Sequence, residues 1–481
     1  MLSMLNFAET FFRSMTLIKS ISGIRGTIGG TAGEGLTPPD VVKYVSAYGT
    51  WIKQQNKENV TVIIGRDARL SGDMVNQLAV STLSALGINC IDIGLSTTPT
   101  VEVAVTELKA QGGIIITASH NPKQWNALKL LNAKGEFVSE ADGAKILSIA
   151  EEANFSYADV NHLGKITKRD DLLKLHIDKI LKLPYVDIKA IKAKNFTIAL
   201  DAINSSGGFA VPMLLEALGV TDIVKIHCEP DGQFAHNPEP LPENLRDLSK
   251  AVTKSKAHLG ISVDPDVDRL ALVCEDGEMF GEEYTLVAVA DYVLQHHKKA
   301  NTVSNLSSTR ALRDVTEKAG GKYAASAVGE VNVVTLMKES KAVIGGEGNG
   351  GIILPELHYG RDALVGIALF LSHLAKFGKS VSLLRSTYPD YHISKNKIEL
   401  TPEIDVDFIL EKIKTKYKKQ PVNTIDGVKI EFDKEWVHLR KSNTEPIIRI
   451  YSESASMSTA DNLAKKIIQD IKEVIKESQI A

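Results

Sequence analysis

The chain alternates short β-branched runs with amphipathic helical stretches, and it begins that alternation three times. VTVIIG (60–65), INCIDIG (88–94) and GGIIITA (112–118) are runs of strand type that end near glycine or small residues. Helical patterns such as GDMVNQLAVSTLSALG (72–87) separate them, with apolar residues at three and four spacing. FTIALDA (196–202), IVKIHCE (223–229) and AHLGISVD (257–264) repeat the pattern with helical partners at 211–219 and 245–257. A third cycle runs from the helical stretch 281–300 through AVIGG (342–346) to a helix over 362–378. Such alternation predicts layered α/β units. Beyond about 386 the character changes. KIELT, VKIEFD, WVHLRKS and IIRIYSES predict antiparallel strands, and an amphipathic helix follows over 459–478. At 481 residues the chain exceeds a single core. The expected fold is three similar mixed α/β domains, 15–160, 161–276 and 277–385, with a smaller α+β domain over 386–481. Residues 1–14 read as an extension, with Met15 a second candidate start.

Charge and cysteine content narrow the function classes. With 56 basic and 59 acidic residues the net charge is −3, which gives no global signal for nucleic acid or a membrane surface. No stretch approaches the roughly twenty apolar residues of a membrane span. Cys90, Cys228 and Cys274 lack CxxC spacing, which argues against a zinc site or disulfide framework and fits a reducing cytoplasm. A small anionic ligand held by local basic residues remains compatible with this balance.

Four loops carry chemistry. The strand 112–118 opens abruptly into SHNP, with Ser119 at its tip; a plain turn and an exposed nucleophile are both compatible with those residues. DPDVDR (264–269) sets Asp264, Asp266 and Asp268 at alternate positions, where their carboxylates can converge on one hard cation. Glu275 at the twelfth position suggests an EF-hand, but Arg269 occupies the place of its glycine and strand-like sequence flanks the loop. A haloacid dehalogenase-type phosphatase would carry its aspartates at the first strand. A solvated acidic turn is disfavoured by mutual repulsion of three carboxylates behind an apolar strand, so a metal is the favoured occupant. GGEGNGG (345–351) holds Glu347 and Asn349 in a bend where glycines allow close approach of a ligand. In RKSNTEPIIRI (440–450), Arg440 and Arg449 bracket Ser442, Asn443 and Thr444, a donor-rich hairpin suited to an anion. Arg25, Arg66 and Arg69 stand near strand ends, Lys129 follows the serine loop, and His120 adjoins Ser119.

Taken together and in this order, TASHNP, DPDVDR, GEGNGG and RKSNTEP resemble the loops of the α-D-phosphohexomutase superfamily. The resemblance runs from about Leu17 to the C-terminus and includes GIRG, GRDARLSG and DGQFAHNPEP. It implies four domains around a central cleft, each contributing one loop. Ser119 is then the phosphorylated serine, and Asp264, Asp266 and Asp268 hold Mg²⁺ against its phosphate. Glu347 and Asn349 read sugar hydroxyls, while Arg440, Ser442, Asn443, Thr444 and Arg449 grip the phosphate that stays in place. Arg25, Lys129, Arg269 and His120 flank the phosphoserine, and Lys129 is the expected proton acceptor, provided a cationic cleft lowers its pKa.

Three departures from the usual pattern stand out: Pro265 in place of glycine, the glycines after Glu347, and Glu330 with Asn332 where a basic residue is common. The resemblance implies a cytoplasmic phosphosugar mutase with a hexose bisphosphate as activator and intermediate. Glucosamine 6-phosphate is the favoured substrate, with a broad phosphomannomutase/phosphoglucomutase as the alternative. A non-catalytic sugar-phosphate-binding protein would be expected to lack Ser119 or two aspartates, and all four are present.

Overall fold

The computed structural model describes residues 15–20, 23–56, 59–401, 404–442 and 447–480, without the side chains of 477–480. The extension 1–14 lies outside them, as do Asn443 and Thr444. Among the described residues the strands gather into four sheets in chain order. The first contains β1 (Ile18–Ser20), β2 (Gly23–Thr27), β3 (Thr61–Arg66), β4 (Asn89–Leu95), β5 (Gly112–Ile116), β6 (Trp125–Leu131) and β7 (Ile166–Lys168). Their spatial order is β1-β2-β6-β5-β3-β4-β7. β5, β3, β4 and β7 are parallel, as helical crossovers require, while β6 returns antiparallel to β5. Because β7 pairs with β4, the chain stays in this sheet through Lys168, past the boundary expected at 160.

The second sheet has β8 (Thr197–Asp201), β9 (Asp222–Ile226), β10 (Leu259–Val263) and β11 (Leu270–Val273), ordered β11-β10-β8-β9. The third has β12 (Thr302–Asn305), β13 (Tyr323–Ser326), β14 (Ile344–Glu347) and β15 (Gly351–Ile353), ordered β13-β12-β14-β15. Both repeat one plan: parallel strands, then an antiparallel return strand on the edge. In all three units the turn into that return strand is one of the loops singled out above. Each turn bends through a left-handed residue: Ser119 (φ 48°), Val267 (φ 62°) and Gly350 (φ 80°). Glycine adopts that region freely, whereas a β-branched valine is strained there.

The fourth sheet is wholly antiparallel: β16 (His392–Glu399), β17 (Val422–Asn423), β18 (Val428–Glu431), β19 (Trp436–Lys441) and β20 (Ile447–Ser454), ordered β16-β20-β19-β18-β17. The helices Val406–Lys416 and Met457–Ile480 add to its core. The expected class, three mixed α/β units and a C-terminal α+β unit, is therefore the fold observed.

What locks the second and third units together is the helix Ala363–Phe377. It is buried from Ala363 through Ala375 and apolar there apart from the hydrogen-bonded Ser372 and His373, as a helix enclosed on every side requires. Phe370 on it meets Phe280 edge-to-face at 5.2 Å, inside one core shared by the two units. Among the described residues no helix is long and apolar enough to cross a membrane.

Candidate active site

The serine loop is held from behind by an arginine. Arg69 is 1% exposed, and its guanidinium donates to the carbonyl oxygens of Ser119, Asn121 (2.7 Å), Pro122 (2.8 Å) and Trp125 (3.0 Å). Its Nε donates to Asp67 (3.0 Å), which also accepts from Thr117 Oγ1 (2.6 Å). Thr117 Oγ1 in turn accepts the Ser119 N–H at 2.9 Å. This chain of bonds sustains the left-handed turn and leaves Ser119 Oγ pointing into the cleft, where it donates to Asp264 Oδ2 at 2.8 Å.

The three aspartates do converge. One oxygen from each lies within 4.8 Å of the others, and all three residues are buried. Asp264 Oδ1 accepts the N–H groups of Asp268 and Arg269, both at 3.1 Å, which curls the loop around it. Burial, followed by Asp268 and Asp266, pushes the Asp264 carboxyl well above the usual range. Asp266 Oδ1 and Asp268 Oδ1 are buried without a hydrogen-bond partner. Packed, mutually repelling carboxylates with unsatisfied oxygens fit an oxygen-ligated dication.

Cations ring this cluster. Lys129 Nζ is 2.8 Å from Asp266 and 3.5 Å from Asp268. Burial alone would lower its pKa, but Asp266 and Asp268 outweigh burial and raise it. The expected lowering is thus corrected: Lys129 sits here as a charged partner of the acidic loop. Arg269 lies 3.9–4.0 Å from Asp268 and Asp264. Burial lowers the pKa of Arg25, which lines the cavity beside Lys129. His120 Nδ1 is buried without a partner, and burial, then Arg269 and Arg361, lower its pKa to about 2, so the ring is neutral.

Arg361, absent from the sequence argument, ties the loops together. Its guanidinium reaches Asp268 (2.7 Å), Glu330 (2.9 Å) and Glu347 (3.1 Å), joining the acidic loop to the glycine-rich one. Glu347 also accepts from Asn305 (2.9 Å) and the Gly329 N–H (3.1 Å). Asn349 Oδ1 accepts the Gly351 N–H at 3.2 Å. Two adjoining cavities share Val328, Glu347 and Arg440. One brings Arg25, Lys129 and Arg361 together; the other brings Arg269, Asn349, Lys395 and Arg449. Arg440 enters from the fourth unit, oriented by Asp426 at 2.9 Å. Ser442 closes the β19–β20 hairpin through its N–H to Ile447 O at 3.0 Å. Described residues of all four units therefore line these two cavities: Lys129 from the first, Arg269 from the second, Glu347 from the third and Arg440 from the fourth.

The chain matches, in order, the phosphoglucomutase/phosphomannomutase alpha/beta/alpha domain I over residues 17–157, domain II over 174–277, domain III over 281–391 and the C-terminal domain over 400–470. The chain belongs to the phosphoglucomutase/phosphomannomutase family. A phosphoglucomutase/phosphomannomutase of Thermococcus kodakarensis is 35% identical over 456 residues, covering 94% of this chain and 99% of its own. A phosphoglucosamine/phosphogalactosamine mutase of Sulfurisphaera tokodaii is 32% identical, covering 93% and 98%. In fold, a phosphoglucomutase/phosphomannomutase family protein of Burkholderia thailandensis superposes with a TM-score of 0.81 at 23% identity, over 96% of this chain and 97% of that one.

Family membership makes the chain a phosphosugar mutase, an isomerase that moves phosphate between two positions of one sugar. Several residues that organise this mutase cleft carry no sequence pattern of their own. Arg69 reads as an ordinary strand-end arginine, and only its burial shows the clamp. Thr98 donates to Asp266 at 2.5 Å across the first two units, a contact with no local signature. Arg361 had one usable signal. It precedes Asp362, whose carboxylate caps the following helix by accepting from Leu364 and Val365, which fixes where the arginine leaves the loop.

Proposed function

We propose that this mutase acts on an amino-sugar phosphate, interconverting glucosamine 6-phosphate and glucosamine 1-phosphate through a phosphoserine at Ser119 and a hexose bisphosphate. The observation that carries the mechanism is the 2.8 Å contact of Ser119 Oγ with Asp264, inside a cluster of three buried carboxylates. The amino-sugar substrate rests on the likeness to the Sulfurisphaera mutase.

Asp264, Asp266 and Asp268, with Ser119 beside them, would hold Mg²⁺, which when bound supplies neutralising charge to the phosphate oxygens. Arg25 and Arg269 lie at the cleft around the serine and stabilise charge that spreads over the transferring group. Lys129, held charged by Asp266, joins them as a stabilising cation. Arg69 keeps the serine turn rigid, so the oxygen is presented without reorganisation. Glu347 and Asn349 contact the sugar, while Arg440, Ser442, Asn443, Thr444 and Arg449 hold the phosphate at rest. That group must serve either end of the sugar, because the bisphosphate has to reverse before the second transfer. Charge and N–H donors suit that exchange, since they bind phosphate whichever carbon bears it. The reaction is placed in the cytoplasm, in keeping with three free cysteines.

A phosphomannomutase/phosphoglucomutase of broad specificity is the second reading, favoured by the Thermococcus relative. Purified enzyme assayed with Mg²⁺ and a hexose bisphosphate against glucosamine 6-phosphate, mannose 6-phosphate and glucose 6-phosphate separates the two. A kcat/KM for the amino sugar at least tenfold above the others supports the proposal. Equal or better turnover of mannose or glucose phosphate replaces it with the second reading.

A further inference from the structure

Among the described residues two further convergences of metal-type donors lie apart from the aspartate loop, and the one at the C-terminal end of β8 is the one that keeps some exposure. Asp201 Oδ2 has two imidazoles against it, His227 Nδ1 at 3.0 Å and His236 Nε2 at 3.1 Å. The three donor atoms lie within 4.8 Å of one another. Asp201 is fully buried, and its other oxygen accepts the Ile203 N–H at 3.0 Å, so the carboxylate cannot turn away. The imidazoles retain some exposure, with 26% of the His227 side chain and 16% of the His236 side chain accessible, which leaves a path for an ion.

The hydrogen bond behind His236 fixes which ring nitrogen faces Asp201. Its Nδ1 lies 2.8 Å from the carbonyl oxygen of Asn237, and a carbonyl only accepts, so Nδ1 carries the proton. In the neutral ring Nε2 then turns a lone pair onto a carboxylate oxygen at 3.1 Å, two electron-rich atoms at hydrogen-bond distance with no hydrogen between them. A cation shared by the two resolves that contact. A backbone carbonyl bonded to the far ring nitrogen is also the arrangement that fixes histidine metal ligands. Bonds of about 2.0–2.1 Å to a tetrahedral ion place neighbouring ligand atoms about 3.3 Å apart, close to the two carboxylate–imidazole spacings of 3.0 and 3.1 Å. Protonation of Nε2 is the competing way to resolve the contact.

We propose that Asp201, His227 and His236 bind a transition-metal dication of the Zn²⁺ class, with three protein ligands and an open fourth position. Cysteine spacing argues against a thiolate zinc site, and that argument does not reach a site of two imidazoles and a carboxylate. The placement gives the ion a structural consequence. The segment from 227 to 240 also carries Phe234, whose ring lies 5.0 Å from the Arg69 guanidinium, and Glu239, 3.8 Å from Arg269. A metal on His227 and His236 pins this segment to β8. It thereby steadies the contacts that the segment makes with the clamp behind Ser119 and with the cation beside the aspartate loop.

The test is a Co²⁺ titration of chelator-stripped full-length enzyme, with excess Mg²⁺ present to occupy oxygen-only sites, followed by visible absorption. Saturation at one equivalent at micromolar Co²⁺, with the band of a nitrogen-ligated ion that Zn²⁺ displaces, is the expected result. His227→Gln and His236→Gln, shown to be folded by circular dichroism, are each expected to weaken it by about tenfold or more. Absence of a saturable band in the wild-type enzyme overturns the proposal and leaves an imidazolium–carboxylate contact. A band that both substitutions leave unchanged overturns it equally.

Discussion

Ser119 Oγ lies 2.8 Å from Asp264 Oδ2, although 145 positions separate the two residues and they follow strands of different sheets. The contact joins the return-strand turns of the first and second units. Asp264 is itself ordered by the N–H groups of Asp268 and Arg269. Serine and acidic cluster are thus positioned by backbone turns rather than by mobile side chains.

The clamp behind that serine is the first point to test. Arg69→Ala removes donors from four carbonyls and leaves Asp67 buried without its cation. Breaking a buried pair in this way costs about 3–5 kcal/mol. Chemical denaturation is expected to show a loss of that order. Arg69→Lys, which keeps the charge but not the fork, is expected to lower kcat far more than it raises KM. A lysine variant with wild-type kcat would contradict the clamp.

Arg361 couples the acidic loop to the glycine-rich loop through Asp268, Glu330 and Glu347. Arg361→Gln leaves three buried carboxylates with less compensation. kcat is expected to fall by about 10²-fold or more, as for loss of one charge-stabilising donor, while Mg²⁺ affinity is expected to rise because the guanidinium no longer competes for Asp268. Mg²⁺ titration of mutase activity reads both. A change in sugar KM alone would show that Arg361 does not reach the acidic loop functionally.

At Gly350 the backbone allows no side chain. Its φ is 80°, and an added Cβ would stand 2.2 Å from Leu270 O, on the strand that leaves the aspartate loop. Gly350→Ala is expected to displace the Glu347–Asn349 turn, raise KM for the sugar phosphate severalfold and cost about 1–3 kcal/mol. Steady-state kinetics and thermal unfolding together check this. Unchanged KM would separate that turn from substrate binding.

His438 links the third and fourth units. Its Nε2 donates to Asp426 O (2.6 Å), and Nδ1 lies 2.9 Å from Ser307 Oγ. Burial lowers its pKa from 6.5 to about 4. A group depressed on folding contributes stability that is complete above its unfolded value and lost as pH falls through the folded one. Relative to His438→Gln, the wild type is therefore expected to lose stability between pH 6.5 and pH 4, on the order of 3 kcal/mol. Denaturant midpoints across that range measure it. A difference that does not move with pH would contradict the assignment.

The parts of this architecture legible in the sequence are those written in local pattern. β-branched runs ending in small polar residues mark the return-strand turns, and aspartates at alternate positions converge as alternation allows in a curled loop. Arg69 and Thr98 were not legible, and Arg361 only through the helix-capping Asp362 that follows it, because their roles arise from contacts made across the sheets. Lys129 was legible as a neighbour of the site but not in its charge state. Nothing in WNALK shows that two aspartates more than a hundred residues away outweigh the burial that lowers a lysine pKa.

The central claim is that Ser119 carries the phosphate in transit. Peptide mass spectrometry of enzyme incubated with a hexose bisphosphate and Mg²⁺, then chased with sugar monophosphate, tests it directly. A single phosphate on Ser119 that passes to the sugar during the chase, with turnover abolished in Ser119→Ala, is the predicted result. A serine that stays unmodified while the enzyme turns over, or a Ser119→Ala variant that retains mutase activity, would contradict it.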